Sequence, residues 1–298
     1  MHIIKPLIKL IETRLNSALT LKEVASCAGY SERWLYSRFL TQTGLTLAQY
    51  IRRRKLTLAA TLLRHTRRSV TDIAIMYGFS SLQSFSRAFH HHYKMSPSDY
   101  RYADIWDMHY AQPILFHSEC IPSVRFTKIK NNVDNIMLSE EIPVRLNIDF
   151  SNSYNKEKEV YNNNLHQVIM FVLNQTREMK FFIIAGELLP GDETDSYLKY
   201  QITEAATQEE AERMIPDGTY SYLIFSGTDE DIATFQMYDS YSALCQGKCK
   251  IRRGAQYTLF QRQNNNTTAD IRFMIPCIPQ SQPDWGIKIN EQSGEQKI

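Results

Sequence analysis

No stretch of the 298 residues approaches 18 uninterrupted apolar positions. A membrane-spanning helix needs roughly that length, so none is expected. The first residues, with apolar positions broken by Lys5, Lys9 and Glu12, hold no secretory core. A soluble, cytoplasmic protein is the expectation. Cysteine is scarce and scattered, at Cys27, Cys120, Cys245, Cys249 and Cys277. An odd count in a long chain implies no disulfide framework, and no cluster has the spacing of a zinc site. Only His117 and His166 lie beyond residue 110. No Ser/His/Asp or Cys/His constellation stands out, so catalysis is not expected, nor a metal or other cofactor.

Charge is present in both signs but unevenly placed. Residues 1–110 carry 16 Lys and Arg against 7 Asp and Glu; the other 188 carry 18 against 25. A basic first part joined to an acidic remainder suggests a nucleic-acid-binding domain with a different companion. The length suits about two domains. The boundaries read as 1–102, a linker over 103–120 with no periodicity, and 121–298.

Residues 3–16 space Ile4, Leu7, Ile8, Ile11 and Leu15 as an amphipathic helix. Thr20 followed by Glu23 is a capping box, Leu21, Val24, Ala25 and Ala28 share a face, and Gly29 supplies a left-handed stop. Ser31 then caps a second helix running to about Thr43. The pattern recurs about 49 residues later. Ser69 opens a helix with Val70, Ile73, Ala74 and Tyr77 inward, Gly78 matches Gly29, and Ser80 matches Ser31. The following helix runs from about Ser81 to Tyr93, with Phe85 and Phe89 matching Leu35 and Phe39. Helix, tight turn, helix is the arrangement that puts the second helix in a major groove. A long helix from about Thr46 to Arg64 joins the two units as a strut.

The segment Phe79-Ser-Ser-Leu-Gln-Ser-Phe-Ser-Arg-Ala-Phe89, with Tyr93, Ser96-Pro97 and Tyr100-Arg101, resembles the AraC/XylS family of bacterial transcription regulators. The resemblance covers residues 3–102 and implies a double reader that binds double-stranded DNA as a monomer, with RNA polymerase as a further partner. The helical period gives the outward faces. Arg33, Tyr36, Ser37 and Leu40 lie opposite Leu35 and Phe39; Gln83, Ser86, Arg87 and His90 lie opposite Phe85, Ala88 and Phe89. Arg reads guanine and Gln reads adenine in bidentate fashion, so Arg33, Tyr36, Gln83 and Arg87 are the expected base readers. The alternative for each is a phosphate-bound or solvated side chain. The family usually has Leu-x-Arg-x-Phe in its first reader. Here Ser37 holds the Arg position and Arg38 follows it, turned by about 100° toward the flank and a phosphate. Arg52, Arg53, Arg54 and Lys55, and Arg64, Arg67 and Arg68, are basic clusters suited to backbone neutralisation. His90, His91 and His92 diverge around a helix and do not converge on one ion.

Beyond the linker a unit appears twice. Strand Glu141–Phe150, helix Lys156–Arg177 and strands Phe181–Leu189 and Ser196–Ala205 are followed by strand Gly218–Ser226, helix Asp229–Gln246 and strands Ala255–Gln261 and Ala269–Ile275. The fold class expected is an all-α domain with two helix-turn-helix units, then an α+β domain of two pseudo-symmetric strand–helix–strand–strand repeats. Ile215-Pro-Asp-Gly-Thr-Tyr220, Phe225-Ser-Gly227 and Ile271-Arg-Phe-Met-Ile-Pro276 resemble the GyrI-like ligand-binding fold. That resemblance implies an amphipathic small-molecule effector between the halves. Where the fold often has a carboxylate, this chain has Arg272, with Asp270 on the same strand face, which favours an anionic ligand. Tyr220, Tyr222, Phe225, Tyr238, Tyr241, Tyr257 and Phe273 are the candidate aromatic contacts, against the reading of such residues as core. The function expected is a ligand-responsive, DNA-binding transcription activator. The alternatives are a DNA-tethered hydrolase or repair enzyme, and an architectural protein without ligand.

Overall fold

The computed structural model describes residues 3–16, 19–115, 122–131, 142–147, 169–191, 195–263 and 267–278. The first domain is helical. Helix α1 (Ile4–Glu12) is shorter than its apolar spacing predicts, since the chain turns at Thr13, yet Leu15 stays buried. Helices α2 (Leu21–Ala28) and α3 (Glu32–Thr43) form the first helix-turn-helix, and α5 (Val70–Met76) and α6 (Leu82–Tyr93) the second. Between them runs α4 (Leu47–His65), and α7 (Pro97–Tyr102) closes the domain.

The helix starts are fixed by local chemistry. Thr20 N–H donates to Glu23 Oε2 at 2.8 Å and Glu23 N–H to Thr20 Oγ1 at 3.2 Å, a complete capping box. Those bonds hold the Glu23 carboxyl below its ordinary range, the Thr20 N–H being the largest cause. Ser31, Thr46, Ser69, Ser81 and Ser96 likewise accept from the N–H three residues on, and Thr46 and Ser81 complete the reciprocal box. Gly29 and Gly78 end their helices at φ of 72° and 71°, a region that only glycine enters without strain.

The two units differ by one residue in the turn. Tyr30 N–H donates to Ala25 O and Phe79 N–H to Ala74 O, so the glycine turns superimpose at an offset of 49. The caps that follow are Ser31 and Ser81, an offset of 50. Ser81, not Ser80, is therefore the counterpart of Ser31. The added residue lets Phe79 pack on Phe85 (ring centroids 5.1 Å), whereas Tyr30 stays exposed and stacks on Trp34. From the caps onward Leu35, Phe39, Thr46 and Tyr50 align with Phe85, Phe89, Ser96 and Tyr100, all at 50. Leu35, Phe39, Tyr50, Phe85 and Phe89 are fully buried in one core with Val24, Ile73 and Tyr93.

One buried charge pair ties the domain. Arg54 Nε and Nη2 donate to the two Glu12 carboxylate oxygens at 2.9 and 2.8 Å, and the Tyr50 hydroxyl donates to Glu12 Oε1 at 2.7 Å. Arg54 Nη1 donates to the Gln112 carbonyl at 2.7 Å, which brings in the chain leaving the domain.

The second domain is an antiparallel sheet with helices, an α+β unit. The strands expected from alternation appear as β3 (Ile142–Asn147), β4 (Phe181–Pro190), β5 (Asp195–Ala205), β6 (Gly218–Thr228), β8 (Gln256–Arg262) and β9 (Thr268–Ile278). Neighbours run β3, β5, β4, β8, β9, β6, all antiparallel, so the order reads alike from both ends. Strand β2 (Arg125–Ile129) extends the β6 edge. Residues 169–175 are helical, here α8; the earlier part of the helix expected over Lys156–Arg177 lies outside the described residues. The helix expected at Asp229–Gln246 is α10 (Asp229–Thr234) and α11 (Ser240–Gln246), continuous through a π-helical turn at Phe235–Asp239. A short helix, α9 (Gln208–Arg213), was not foreseen.

Residues 103–115 are ordered rather than a free linker. Strand β1 (Ile105–Asp107) pairs with β7 (Lys250–Arg252), and β7 continues onto the end of β9. Gln112 N–H donates to Thr57 Oγ1 at 2.9 Å, His92 Nε2 bonds the Tyr110 carbonyl at 2.7 Å, and Arg253 N–H donates to Asp104 O at 3.0 Å. The segment is stitched to both domains.

Candidate nucleic-acid interface and interdomain cavity

Helices α3 and α6 present the faces that the helical period predicts. On α3, Leu35 and Phe39 are buried, while Arg33, Tyr36, Ser37, Arg38 and Leu40 are exposed. On α6, Phe85, Ala88 and Phe89 are buried; Gln83, Arg87 and His90 are exposed and Ser86 is half-buried. The offset of 50 sets Arg33 against Gln83, Tyr36 against Ser86, Ser37 against Arg87 and Leu40 against His90. The long basic side chain of the second unit thus faces a serine in the first. Arg38 is opposite Ala88 and lies along the helix flank. With the Gln42 amide turned to meet it, the Gln42 oxygen accepts from Arg38 Nη2 at 3.1 Å and Nε at 3.3 Å.

An exposed aromatic pair beside this surface was not singled out from sequence. Tyr30 and Trp34 stack at 4.2 Å between ring centroids, at the turn and first turn of the reading helix. Large aromatic rings left exposed at such a place suit contact with sugar or base rather than a core. The signal was present in the sequence: Trp34 falls off the Leu35–Phe39 face.

The basic clusters divide. Arg52, Arg53 and Arg67 are exposed. Arg54 and Arg64 are buried and take no part in an outer surface. Lys55 is half-buried and its Nζ donates to the Tyr77 carbonyl at 3.0 Å, at the end of α5, with burial pulling its pKa down. It braces the second reader against the strut, a structural use in place of the expected phosphate contact.

In the second domain the strand faces separate two surfaces. Arg272, Tyr222 and Tyr220 lie on the side covered by α9. Arg272 Nη1 donates to Glu212 Oε1 of α9 at 2.8 Å, and its guanidinium lies 5.6 Å from the Tyr222 ring. Tyr220 and Tyr222 are buried in the small core on that side with Tyr257 and Met274. Asp270 accepts from the Ser226 hydroxyl at 2.5 Å. Phe225 stacks on Phe235 at 4.6 Å, inside the other core, and Tyr238 is half-buried in the π turn. The structure does not gather these six residues around one groove.

A cavity of about 370 Å³ lies on the opposite face of the sheet. Its floor is Ile184 and Leu188 of β4, Thr258 and Phe260 of β8, and Phe273 and Ile275 of β9. Its sides are Ile169 and Leu173 of α8, and Tyr241 and Leu244 of α11. Its roof is the first domain: Thr57, Ala60, Thr61, Arg64 and His65 of α4, with Tyr93 and Tyr100. Of the residues expected at a ligand groove, Tyr241 and Phe273 line it, while Arg272, Asp270, Tyr220, Tyr222, Phe225, Tyr238 and Tyr257 do not. Burial pulls His65 down to about 4, with Arg64 and Arg253 adding to the effect, so its ring is neutral at neutral pH.

Among the described residues no group of three or more His, Cys, Asp or Glu is placed to hold a metal ion, and no helix is long and apolar enough to cross a membrane. Cys245, Cys249 and Cys277 are buried, and burial raises their thiols to about 12, 12 and 11. Cys120 lies outside the described residues.

Comparison with known proteins agrees with the double-reader geometry. A family model described as a helix-turn-helix domain matches residues 24–103. The transposon Tn10 TetD protein of Escherichia coli is 44% identical over 107 residues, which cover 36% of this chain and 77% of that protein. The regulatory protein SoxS of Salmonella typhimurium is 44% identical over 101 residues, 34% of this chain and 94% of SoxS. The right origin-binding protein of Escherichia coli, a close relative, is 36% identical over 130 residues, 43% of this chain and 45% of that protein. The likeness to SoxS takes in nearly all of that regulatory protein. The chain belongs to the AraC/XylS family of DNA-binding transcription regulators.

Proposed function

We propose that the protein activates transcription by inserting α3 and α6 into successive major grooves on one face of the duplex, in response to a small molecule held by the second domain. The observation that carries the DNA half is the internal offset of 50 from the two caps onward, with Arg33, Tyr36, Ser37, Gln83, Arg87 and His90 exposed on the outward faces. Successive major grooves lie about 34 Å apart. The strut α4, at 19 residues and roughly 1.5 Å per residue, spans about 28 Å, a length suited to that spacing. Arg33 and Arg87 read guanine, Gln83 reads adenine, and Tyr36 contacts a base edge. Ser37, Leu40, Ser86 and His90 line the same faces. Arg38, Arg52 and Arg53 neutralise phosphates. One chain carries both readers, so one molecule is enough for a site, and RNA polymerase is the partner through which activation would act.

The second domain is read as a GyrI-like effector module. Support comes from the sheet order that is the same from both ends, with β4 and β8 at the seam, and from an apolar cavity at that seam flanked by the two helices. Its volume lies in the ~300–1,000 Å³ range of small-molecule sites. The competing reading as a repair enzyme needs a low-pKa thiol, and the three described cysteines of this domain are buried and shifted the other way.

Selection of duplexes from a random pool tests the reading. It should return one asymmetric sequence with two conserved segments a helical turn apart. Enrichment of a palindrome, or of a single short segment, would contradict the two-groove arrangement.

A further inference from the structure

The roof of the cavity holds a feature that the protein's own contacts leave incomplete. Arg64 is 6% exposed. Its Nη1 donates to two carbonyls, Tyr100 O at 2.7 Å and Ala103 O at 2.6 Å. The face of its guanidinium lies against Trp106, with Cζ 3.1 Å from the ring centroid. Its Nε and Nη2 are buried and have no hydrogen-bond partner. These two nitrogens form one edge of the guanidinium, the edge that takes a carboxylate or sulfonate through two parallel bonds. Leaving that edge unmatched in a desolvated place costs free energy, and the burial is felt as a pull on the Arg64 pKa down to about 9.

Among the described residues no carboxylate bonds that edge. Arg253 and neutral His65 also line the cavity, with Glu187 as its carboxylate. Arg64 and Glu187 form no ion pair among the described residues, whereas the buried Arg54 guanidinium is paired through Nε, Nη1 and Nη2. The rest of the lining is apolar: Ile184, Leu188, Phe260, Phe273 and Leu244.

We infer that Arg64 of the DNA-reading domain is the anion receptor of the cavity, and that the effector is an amphipathic anion whose apolar body lies on the sheet of the second domain. This rests on the effector reading given above and adds the ligand's charge and the route of coupling. Arg64 projects from α4, the helix that carries both readers. A ligand gripped at its head by α4 and along its body by β4, β8 and β9 ties the two domains together. Its occupancy and DNA affinity are then linked, each changing the other by the same factor. Arg272, paired with Glu212 on the far side of the sheet, takes no part.

The test is titration calorimetry of the full chain with three probes of equal chain length: octanesulfonate, octanol and octyltrimethylammonium. Octanesulfonate should bind roughly tenfold or more tighter than octanol, and the cation weakest. Arg64→Gln should bring octanesulfonate to the level of octanol and leave octanol unchanged. Because Arg64 also holds two carbonyls, Thr61→Glu provides a second variant. It places a carboxylate one turn before Arg64 on the cavity wall, and it should abolish the preference for the anion while Arg64 stays. Equal binding of the three probes, or a preference that survives both variants, overturns Arg64 as receptor and leaves the effector cavity standing. Failure of all three probes to bind the folded wild-type chain overturns both.

Discussion

Substituting Glu12 by Leu removes one half of the buried pair that joins α1, α4 and the segment after α7. The carboxylate accepts three hydrogen bonds, two from Arg54 and one from Tyr50, and its side chain is fully buried. Loss of one partner strands a guanidinium whose other bond, among the described residues, is to the Gln112 carbonyl. Breaking a buried pair this way typically costs about 3–5 kcal/mol, against a total stability of about 5–15 kcal/mol for a domain. The double variant Glu12→Leu/Arg54→Met removes both charges and refills the space. It should recover most of the loss, keeping only the roughly 1–3 kcal/mol of the stranded Tyr50 hydroxyl and Gln112 carbonyl. Urea unfolding of the full chain, followed by helical circular dichroism, reads the first domain because most of the helix lies there. A single variant within about 1 kcal/mol of wild type would refute the reasoning. So would a double variant as unstable as the single one.

Three further outcomes are expected. Arg87→Ala should cost about 1–3 kcal/mol at the specific site and relax the preference at one base pair, measured by competition among single-base variants; a uniform loss would make Arg87 a phosphate contact. Arg38→Ala should weaken specific and random DNA alike and lower the salt slope by about 1, and a change of preferred base would show that the α3 register is misassigned. His65 is held neutral by burial, at about 4 when folded against 6.5 for the free side chain. Its contribution to stability is therefore complete above pH 6.5 and is lost as pH falls toward 4, where unfolding takes up a proton. In denaturant titrations at pH 7.5 and 4.5, His65→Asn should flatten the acid loss; an unchanged slope would show that the ring is already protonated in the folded chain.

The first domain was largely legible in the sequence because its determinants are local. Capping pairs such as Thr20 and Glu23, the left-handed Gly29 and Gly78, and the spacing of Leu35, Phe39, Phe85 and Phe89 each act within a few residues. The one-residue difference between the two turns was harder to see. Two consecutive serines, Ser80 and Ser81, both satisfy a cap, and only the packing of Phe79 on Phe85 decides between them. Burial of Arg54 and Arg64 could not be read from a run of basic residues, because their partners lie 42 and 36 positions away.

The second domain was legible as elements but not as a site. Alternation along β9 groups Asp270, Arg272 and Met274 apart from Ile271, Phe273 and Ile275. It does not say which group faces the long helices. That was settled by α9, six residues long, which covers the Arg272 side and supplies Glu212. Strand β1 was missed because three residues carry no period. The roof of the cavity comes from another domain altogether, and no pattern within residues 121–298 could announce it.

Multi-angle light scattering on an enriched, single-site duplex tests the central claim most directly. The account predicts one protein per duplex, with hydroxyl-radical protection in two patches a helical turn apart on one face. An obligatory complex of two proteins, or a single protected patch from one molecule, would contradict it.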